Sequence, residues 1–404
     1  MRYSLLLIVL LSGLVHAQPL RKTEVVWEKS FDFPEDARVW LQEGEGESFY
    51  LIVDKHECSD LGDSPAANFQ KGETGAGVYR FDGRGELEWQ HCFDSNRFHH
   101  LISVLNSSNG KLSLLFSTPP KPNKLLEQRP ELQNASLAWV DLAANNGEMS
   151  LRWQLKDKKL LAAKGAASLS DSRLWVQSPV GFNAFTASGE ARETLSMTGD
   201  NYLLQPVFCA HPQDTVYSVF GFSKDDRSRN VDGKTWSRQH ERIWLAKYSP
   251  TGELLSSRPV LSRGAAKELS EVRQLPDSSY LICGQFADSI EVGGKNIKAR
   301  TPWDIFICRL SPEGKVIWFN AYPMPTDVLK VKHAGFGISM LLFNPRTVDG
   351  TFFRVLKVDP EGKPKTVVML DEREMEVLDF TTLKGEMALI AREKGKFTLL
   401  RVEY

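Results

Sequence analysis

His56, Cys58, His91 and Cys92 are the residues of this chain whose types best suit site chemistry. Imidazole and thiolate are zinc ligands, and two thiols in an oxidising compartment join instead as a disulfide. Zinc sites legible in a sequence show spacings such as C-x-x-C or H-x-x-x-H, and neither occurs here. Adjacent residues in a strand point to opposite faces, which separates His91 from Cys92. No metal site is therefore expected. Cys58 and Cys92 are left either as a disulfide pair or as free thiols. Cys283 and Cys308 fall inside the apolar runs YLICGQF and DIFICRL and read as small core residues, since a cross-strand disulfide there is geometrically demanding. Cys209 is then the odd thiol of the five.

Other chemical templates are missing. There is no G-x-S-x-G elbow, no H-E-x-x-H, no phosphate-binding loop and no dinucleotide fingerprint. KDDRSRNVDGK (224–234) has Asp, Asn and Gly but lacks the alternating order and terminal Glu of a calcium loop. Carboxylate pairs for glycoside hydrolysis converge from distant segments, so sequence spacing does not test them. No cofactor is implied.

The elements that must position any site begin after an N-terminal leader. Arg2 precedes the apolar run LLLIVLLSGL (5–14), with Val15 and Ala17 as small residues before a cleavage point. The run is shorter than the roughly 20 residues a membrane span needs and fits a secretory signal, residues 1–17. No Cys follows the cleavage point, so no lipid anchor is expected and the mature chain, 18–404, is placed outside the cytoplasm or in the periplasm. Basic and acidic residues nearly balance, 50 against 51, which gives no general field for nucleic acid or an anionic membrane.

One pattern organises the rest. LSPEGKVIW (310–318) has Pro and Gly where a tight hairpin needs them, flanked by β-branched and aromatic residues. FDGRGELEW (81–89), ANNGEMSLRW (144–153), FTASGEARE (185–193), YSPTGELLS (248–256) and VDPEGKPKT (358–366) repeat it. Their turn glycines, Gly85, Gly147, Gly189, Gly252, Gly314 and Gly362, are 62, 42, 63, 62 and 48 residues apart. That spacing suits four-stranded propeller blades with one variable loop each. Six complete units end near residues 93, 156, 197, 261, 323 and 370. After them the chain supplies only three strands, while EVVWEKSF (24–31) at the N-terminus has no unit of its own. Pairing it with FTLLRVEY (397–404) makes a seventh blade and leaves no open edge. The expectation is all-β: one seven-bladed β-propeller of four-stranded antiparallel blades over 18–404, its ring closed by these two strands. The tryptophans at 89, 153, 244 and 318 read as blade packing.

CGQFADSIEVGGKNIKARTPWDIFICRLSPEGKVIWFNAY (283–322) resembles the secreted bacterial β-propeller repeat, with its G-x-F strand end, Gly-Gly turn, D-x-F, basic residue, Pro-x-Gly turn and Trp. FGFS, VDGKTW and IWLAKYSPTGELL echo it one unit earlier. A looser similarity links the turn-and-Trp unit to quinoprotein dehydrogenases and outer-membrane assembly propellers. The resemblance implies export and a propeller, and it carries no catalytic residues.

In such a ring the loops between second and third strands share a face with the connections between units. Long loops are expected there at 56–75, 119–135, 224–241 and 288–303, and binding residues concentrate on such loops. The unit connections place Arg97, His99, His100, Asp200, Arg263 and Asp327 around the channel mouth as candidate ligand-binding residues. The expected function is a binding or scaffold module for a protein or glycan partner, without nucleic acid or membrane insertion. The alternative is a glycan-active hydrolase or lyase, or a quinone-dependent oxidoreductase, working at the mouth.

Overall fold

A computed structural model gives the fold. It describes residues 21–22, 24–57, 74–93, 98, 100–108, 110–118, 136–156, the strands between 165 and 261, 265–275, 277–323, 327–334, 337–347, 350–369, 375–383, 386–393 and 395–403. The leader, 1–17, lies outside the described residues.

Every described element longer than a turn is a strand, and most belong to four-stranded antiparallel meanders. Sheet one is Arg38–Glu43, Phe49–Glu57, Thr74–Phe81 and Leu87–Phe93; sheet two is His100–Ser108, Lys111–Thr118, Ser136–Ala143 and Met149–Lys156. Sheet three is Gly165–Ser168, Leu174–Ser178, Gly181–Phe185 and Ala191–Ser196; sheet four is Leu204–Ala210, Tyr217–Phe222, Ile243–Tyr248 and Leu254–Leu261. Sheet five is Ala265–Gln274, Tyr280–Ala287, Asp304–Leu310 and Val316–Tyr322. Sheet six is Asp327–Ala334, Gly337–Thr347, Gly350–Val358 and Pro364–Met369. The fourth strands end at 93, 156, 196, 261, 322 and 369, within a residue of the unit boundaries read from the turn glycines.

The last sheet combines the two ends of the chain. Met375–Leu383, Glu386–Glu393 and Lys396–Glu403 are joined by Glu24–Phe31, which runs antiparallel to Lys396–Glu403 from Glu24 opposite Glu403 to Phe31 opposite Phe397. Just before it, Arg21–Lys22 adds to sheet six as a short parallel strand beside Val368 and Met369. That fifth strand was not expected, because a two-residue ladder leaves no hydrophobic period.

First strands abut in succession from sheet two to sheet seven, and that of sheet seven abuts that of sheet one. The first strand of sheet two meets the second and third strands of sheet one, and the faces behind the first strands pack together in the manner of β-propeller blades. Second and third strands are therefore covered on both sides and read as continuous apolar runs rather than as alternations. In sheet five all of Tyr280–Phe286 is buried. Alternate residues serve opposite neighbours: Ile282, Cys308 and Leu310 pack with Ile243, Leu245 and Leu261 of sheet four. Leu281, Cys283, Ile305 and Ile307 pack with Leu356 and Val358 of sheet six. Cys283 and Cys308 thus lie on opposite faces as fully buried thiols outside any disulfide, and burial pushes the Cys308 thiol up. Fourth strands are half exposed, leaving Val26, Leu255 and Ile317 at the rim.

The glycine turns close the third and fourth strands. Gly362, at φ 78°, donates its N–H to Asp359 O at 2.9 Å, and Asp359 Oδ1 accepts from the N–H groups of Glu361 and Lys363. Asp82 does the same for Arg84 and Glu86 around Gly85, and register shifts at Arg80/Phe81 and Lys357/Val358 mark the bulge such hairpins carry.

Candidate functional site

Two ends of the sheets differ sharply. At one end the third-to-fourth turns are tight. At the other, second strands hand over to third strands through 58–73, 119–135, 223–242 and 288–303, which are 16, 17, 20 and 16 residues long, in sheets one, two, four and five. Sheets three, six and seven make the same connection with two residues each, 179–180, 348–349 and 394–395. The first strands also begin at this end.

The loop of sheet five shows how such an insertion is held. Ser289–Val292 and Lys295–Lys298 form a second hairpin around Gly293 and Gly294. Its Ile290 and Val292 are buried against sheet four and sheet five residues, while Lys295, Asn296 and Lys298 face solvent. Asp304, at the start of the third strand, accepts from the N–H groups of Arg300 and Thr301 at 3.1 Å and from the Thr301 hydroxyl at 2.7 Å. The D of the D-x-F pattern is therefore a loop clamp. Sheet four carries a similar small hairpin, Arg229–Val231 with Lys234–Trp236. Both segments differ from the plain loops expected there, with V-D-G-K (231–234) and V-G-G-K (292–295) each turning between two short paired strands.

Charged groups at the same end are fixed in pairs. Arg38 opens the first strand of sheet one and holds Asp54 near the end of the second, with its Nε 3.1 Å from Oδ2. Asp54 Oδ1 accepts the N–H of Leu101 in sheet two at 3.1 Å. In sheet seven Glu376 and Arg392 pair in the same place, and Arg392 also donates to Glu35 O at 2.9 Å. Deeper in, Asp379 Oδ2 accepts the Leu41 N–H at 2.9 Å, and Lys332 of sheet six donates to Leu41 O at 2.9 Å beside Asp379. One buried carboxylate thereby joins first strands of sheets six, seven and one. Register shifts at Leu101/Ser103, Val328/Lys330 and Val377/Asp379 bend these strands where the contacts form.

Of the candidate mouth residues, His100 is the first residue of sheet two and Asp327 the first of sheet six. Arg97, His99, Asp200 and Arg263 lie outside the described residues. Arg38, Asp54, Glu376 and Arg392 were not singled out from sequence, because nothing local distinguishes them from solvated charges. Asp54 and Asp379 each accept backbone N–H groups beside a cation, which suits them to holding strands in place.

His91 sits edge-on to Phe93 at 4.7 Å, and burial lowers its pKa below the ordinary imidazole value. It pairs with Val78 while Cys92 pairs with Gly77, so the two side chains leave opposite faces. Cys92 is disulfide-bonded, and Cys58 lies outside the described residues. Among the described residues no three His, Cys, Asp or Glu side chains gather as metal ligands.

The turn end has its own repeated contact. Trp89 of sheet one lies on Gly147 of sheet two, Trp318 of sheet five on Gly362 of sheet six, and Trp27 of sheet seven on Gly85 of sheet one. A Cβ added at these glycines would stand 2.6, 2.5 and 2.6 Å from the indole ring. These tryptophans clip sheet one to two, sheet five to six and sheet seven to one, which is a more specific role than the general blade packing expected of Trp89 and Trp318. The basic residue before each turn adds to this: Arg80 reaches Ser48 Oγ at 3.1 Å and Ala144 O of sheet two. Arg309 holds Ser279 Oγ at 3.1 Å within its own sheet.

No family model and no curated protein matches the chain. Solved structures with a similar fold include the C-terminal WD40 domain of Sif2, at 9% identity and TM-score 0.48 over 91% of this chain and 82% of that one. Saccharomyces cerevisiae Sqt1 is similar at 11% identity and TM-score 0.47 over 93% and 98%. At such values neither carries an activity, a partner or a blade count to this chain.

Proposed function

We propose that the chain is an exported seven-bladed β-propeller acting as a binding or scaffold module, and that it takes a protein or glycan partner on its long-loop face. The observation that carries this reading is the asymmetry between the two ends. Four insertions of similar length leave one end, in two neighbouring pairs, sheets one and two and sheets four and five. Loops grown on one face of a rigid scaffold are where recognition concentrates. The described charges beneath them are spent on holding strands together. Export rests on the leader and agrees with a disulfide-bonded Cys92. A seven-membered ring is supported by the first-strand contacts and by the pairing of Glu24–Phe31 with Lys396–Glu403.

The test must spare Ile290 and Val292, which belong to the core. A variant with Lys295, Asn296 and Lys298 changed to alanine and 223–242 replaced by a Gly-Ser linker is compared with wild type. Both are used as bait on an envelope protein extract and on a glycan array. A partner held by wild type and lost by the variant, at unchanged melting temperature, is expected. Equal capture by both would count against this face.

A further inference from the structure

We propose that Arg21–Lys22 is a strap that ties the open end of the closing strand to sheet six and thereby keeps Trp27 seated on Gly85. The first described residues serve two sheets within four positions. Arg21 and Lys22 run parallel to Val368 and Met369 at the outer edge of sheet six, and Glu24 already stands opposite Glu403 of sheet seven. Among the described residues no other sheet carries a fifth strand. A single intervening residue leaves little slack, so the place of one ladder limits where the other can begin.

The closing strand needs such a hold at one end only. At its far end Phe31 and Phe33 are buried with Phe81 and Phe397, and Phe33 stacks on Phe31 at 5.2 Å. At its near end Glu24, Val25 and Val26 are exposed. A register shift between Val25 and Trp27 leaves Val26 out of the ladder. Only the pairs Glu24–Glu403 and Val25–Val402 therefore lie beyond the clip. The first of them sets two carboxylates directly opposite each other, and like charges across a ladder weaken it. Ladder ends with exposed backbone bonds and few buried contacts open at low free energy. Opening as far as Trp27 would lift the indole from Gly85 and bare the edge of the strand that carries the core residues Leu400 and Val402. Arg21–Lys22 adds backbone pairing just upstream of the weak pairs and on a different sheet. The closing strand is thus held by aromatic burial at its far end and by the strap at its near end.

Hydrogen exchange read by mass spectrometry tests this in the full-length chain and does not depend on any binding role. Arg21→Pro/Lys22→Pro removes both backbone donors of the strap. Amides of Glu24–Trp27 should then exchange on the order of tenfold faster than in wild type, with those of Phe31 and of Tyr280–Phe286 in sheet five unchanged. Arg21→Gln/Lys22→Gln keeps the donors and removes the charges, and it should exchange like wild type. Unchanged exchange at Glu24–Trp27 in the proline variant would overturn the proposal. Equal acceleration in the glutamine variant would overturn it too, by assigning the effect to charge. A second variant closes the strap instead of opening it: Lys22→Cys/Met369→Cys puts thiols at directly paired positions. Its oxidised form should protect Glu24–Trp27 beyond wild type, and reduction should restore the wild-type rate. Failure of these two cysteines to cross-link, or a cross-link without added protection, would contradict a strap.

Discussion

The junction of sheets five and six and the junction of sheets seven and one use the same clip, the second with a strand from the N-terminal end of the chain. At the first, Trp318 follows its own sheet in sequence, and its indole N–H donates to Pro360 O at 3.2 Å. Asn320 and Tyr322 from the same strand both donate to Gly362 O. At the second, Trp27 arrives from the other end of the chain and stacks on Gly85 just as closely. Its buried Nε1 has no partner among the described residues, and a polar tie beside it is Lys29 with Glu86 at 3.7 Å. The ring-on-glycine contact is therefore alike at the two junctions, while the hydrogen bonding of the indole is not. Both indoles come from the strand that directly precedes the next sheet, and the junction of sheets seven and one is hydrogen-bonded elsewhere, through Asp379 and the Leu41 N–H and through Arg392 and Glu35 O.

The largest effect should come from removing the glycine. Gly85→Ala and Gly362→Ala each force a side chain into a left-handed residue and against an indole. Together these cost about 2–5 kcal/mol, summing roughly 1–2 for the backbone and 1–3 for overpacking. Urea unfolding measures both. A small loss at Gly85 with a large one at Gly362 would break the equivalence of the junctions. A smaller and sharper difference should come from Trp→Phe. Trp318→Phe gives up a hydrogen bond worth about 1 kcal/mol, whereas Trp27→Phe gives up none. Equal losses at the two positions would contradict the difference in bonding.

Much of this was legible in the sequence and part of it was not. Gly85, Gly147, Gly314 and Gly362 marked the hairpins because a positive φ is a local demand that glycine answers. The strand Glu24–Phe31 was legible because its Trp placement matched that of other fourth strands. Which glycine each Trp meets was not legible, since Trp27 and Gly85 or Trp318 and Gly362 belong to different sheets and no local pattern couples them. The roles of Asp54 and Asp379 were hidden for the same reason: each bonds a backbone N–H on a neighbouring sheet. The small hairpins inside the loops of sheets four and five were too short to show a period.

The smallest expected effect concerns pH. Burial lowers the His91 pKa in the folded protein, so the unfolded chain binds the proton more readily. Stability contributed by neutral His91 is present above the unfolded value, about 6.5, and is lost as pH falls from there toward the folded value. His91→Gln should flatten the stability-against-pH curve in that window relative to wild type. An unchanged slope would place the pH dependence elsewhere.

The proposed closure of the ring is tested most directly by joining the two ends of the chain. Glu24 and Glu403 face each other across the closing pair of strands, and both are exposed. In Glu24→Cys/Glu403→Cys, mild oxidation should give an intramolecular cross-link in the monomer, found by peptide mapping between 24 and 403. Failure to cross-link, or cross-links only between two molecules, would contradict a ring closed by its own N-terminal strand.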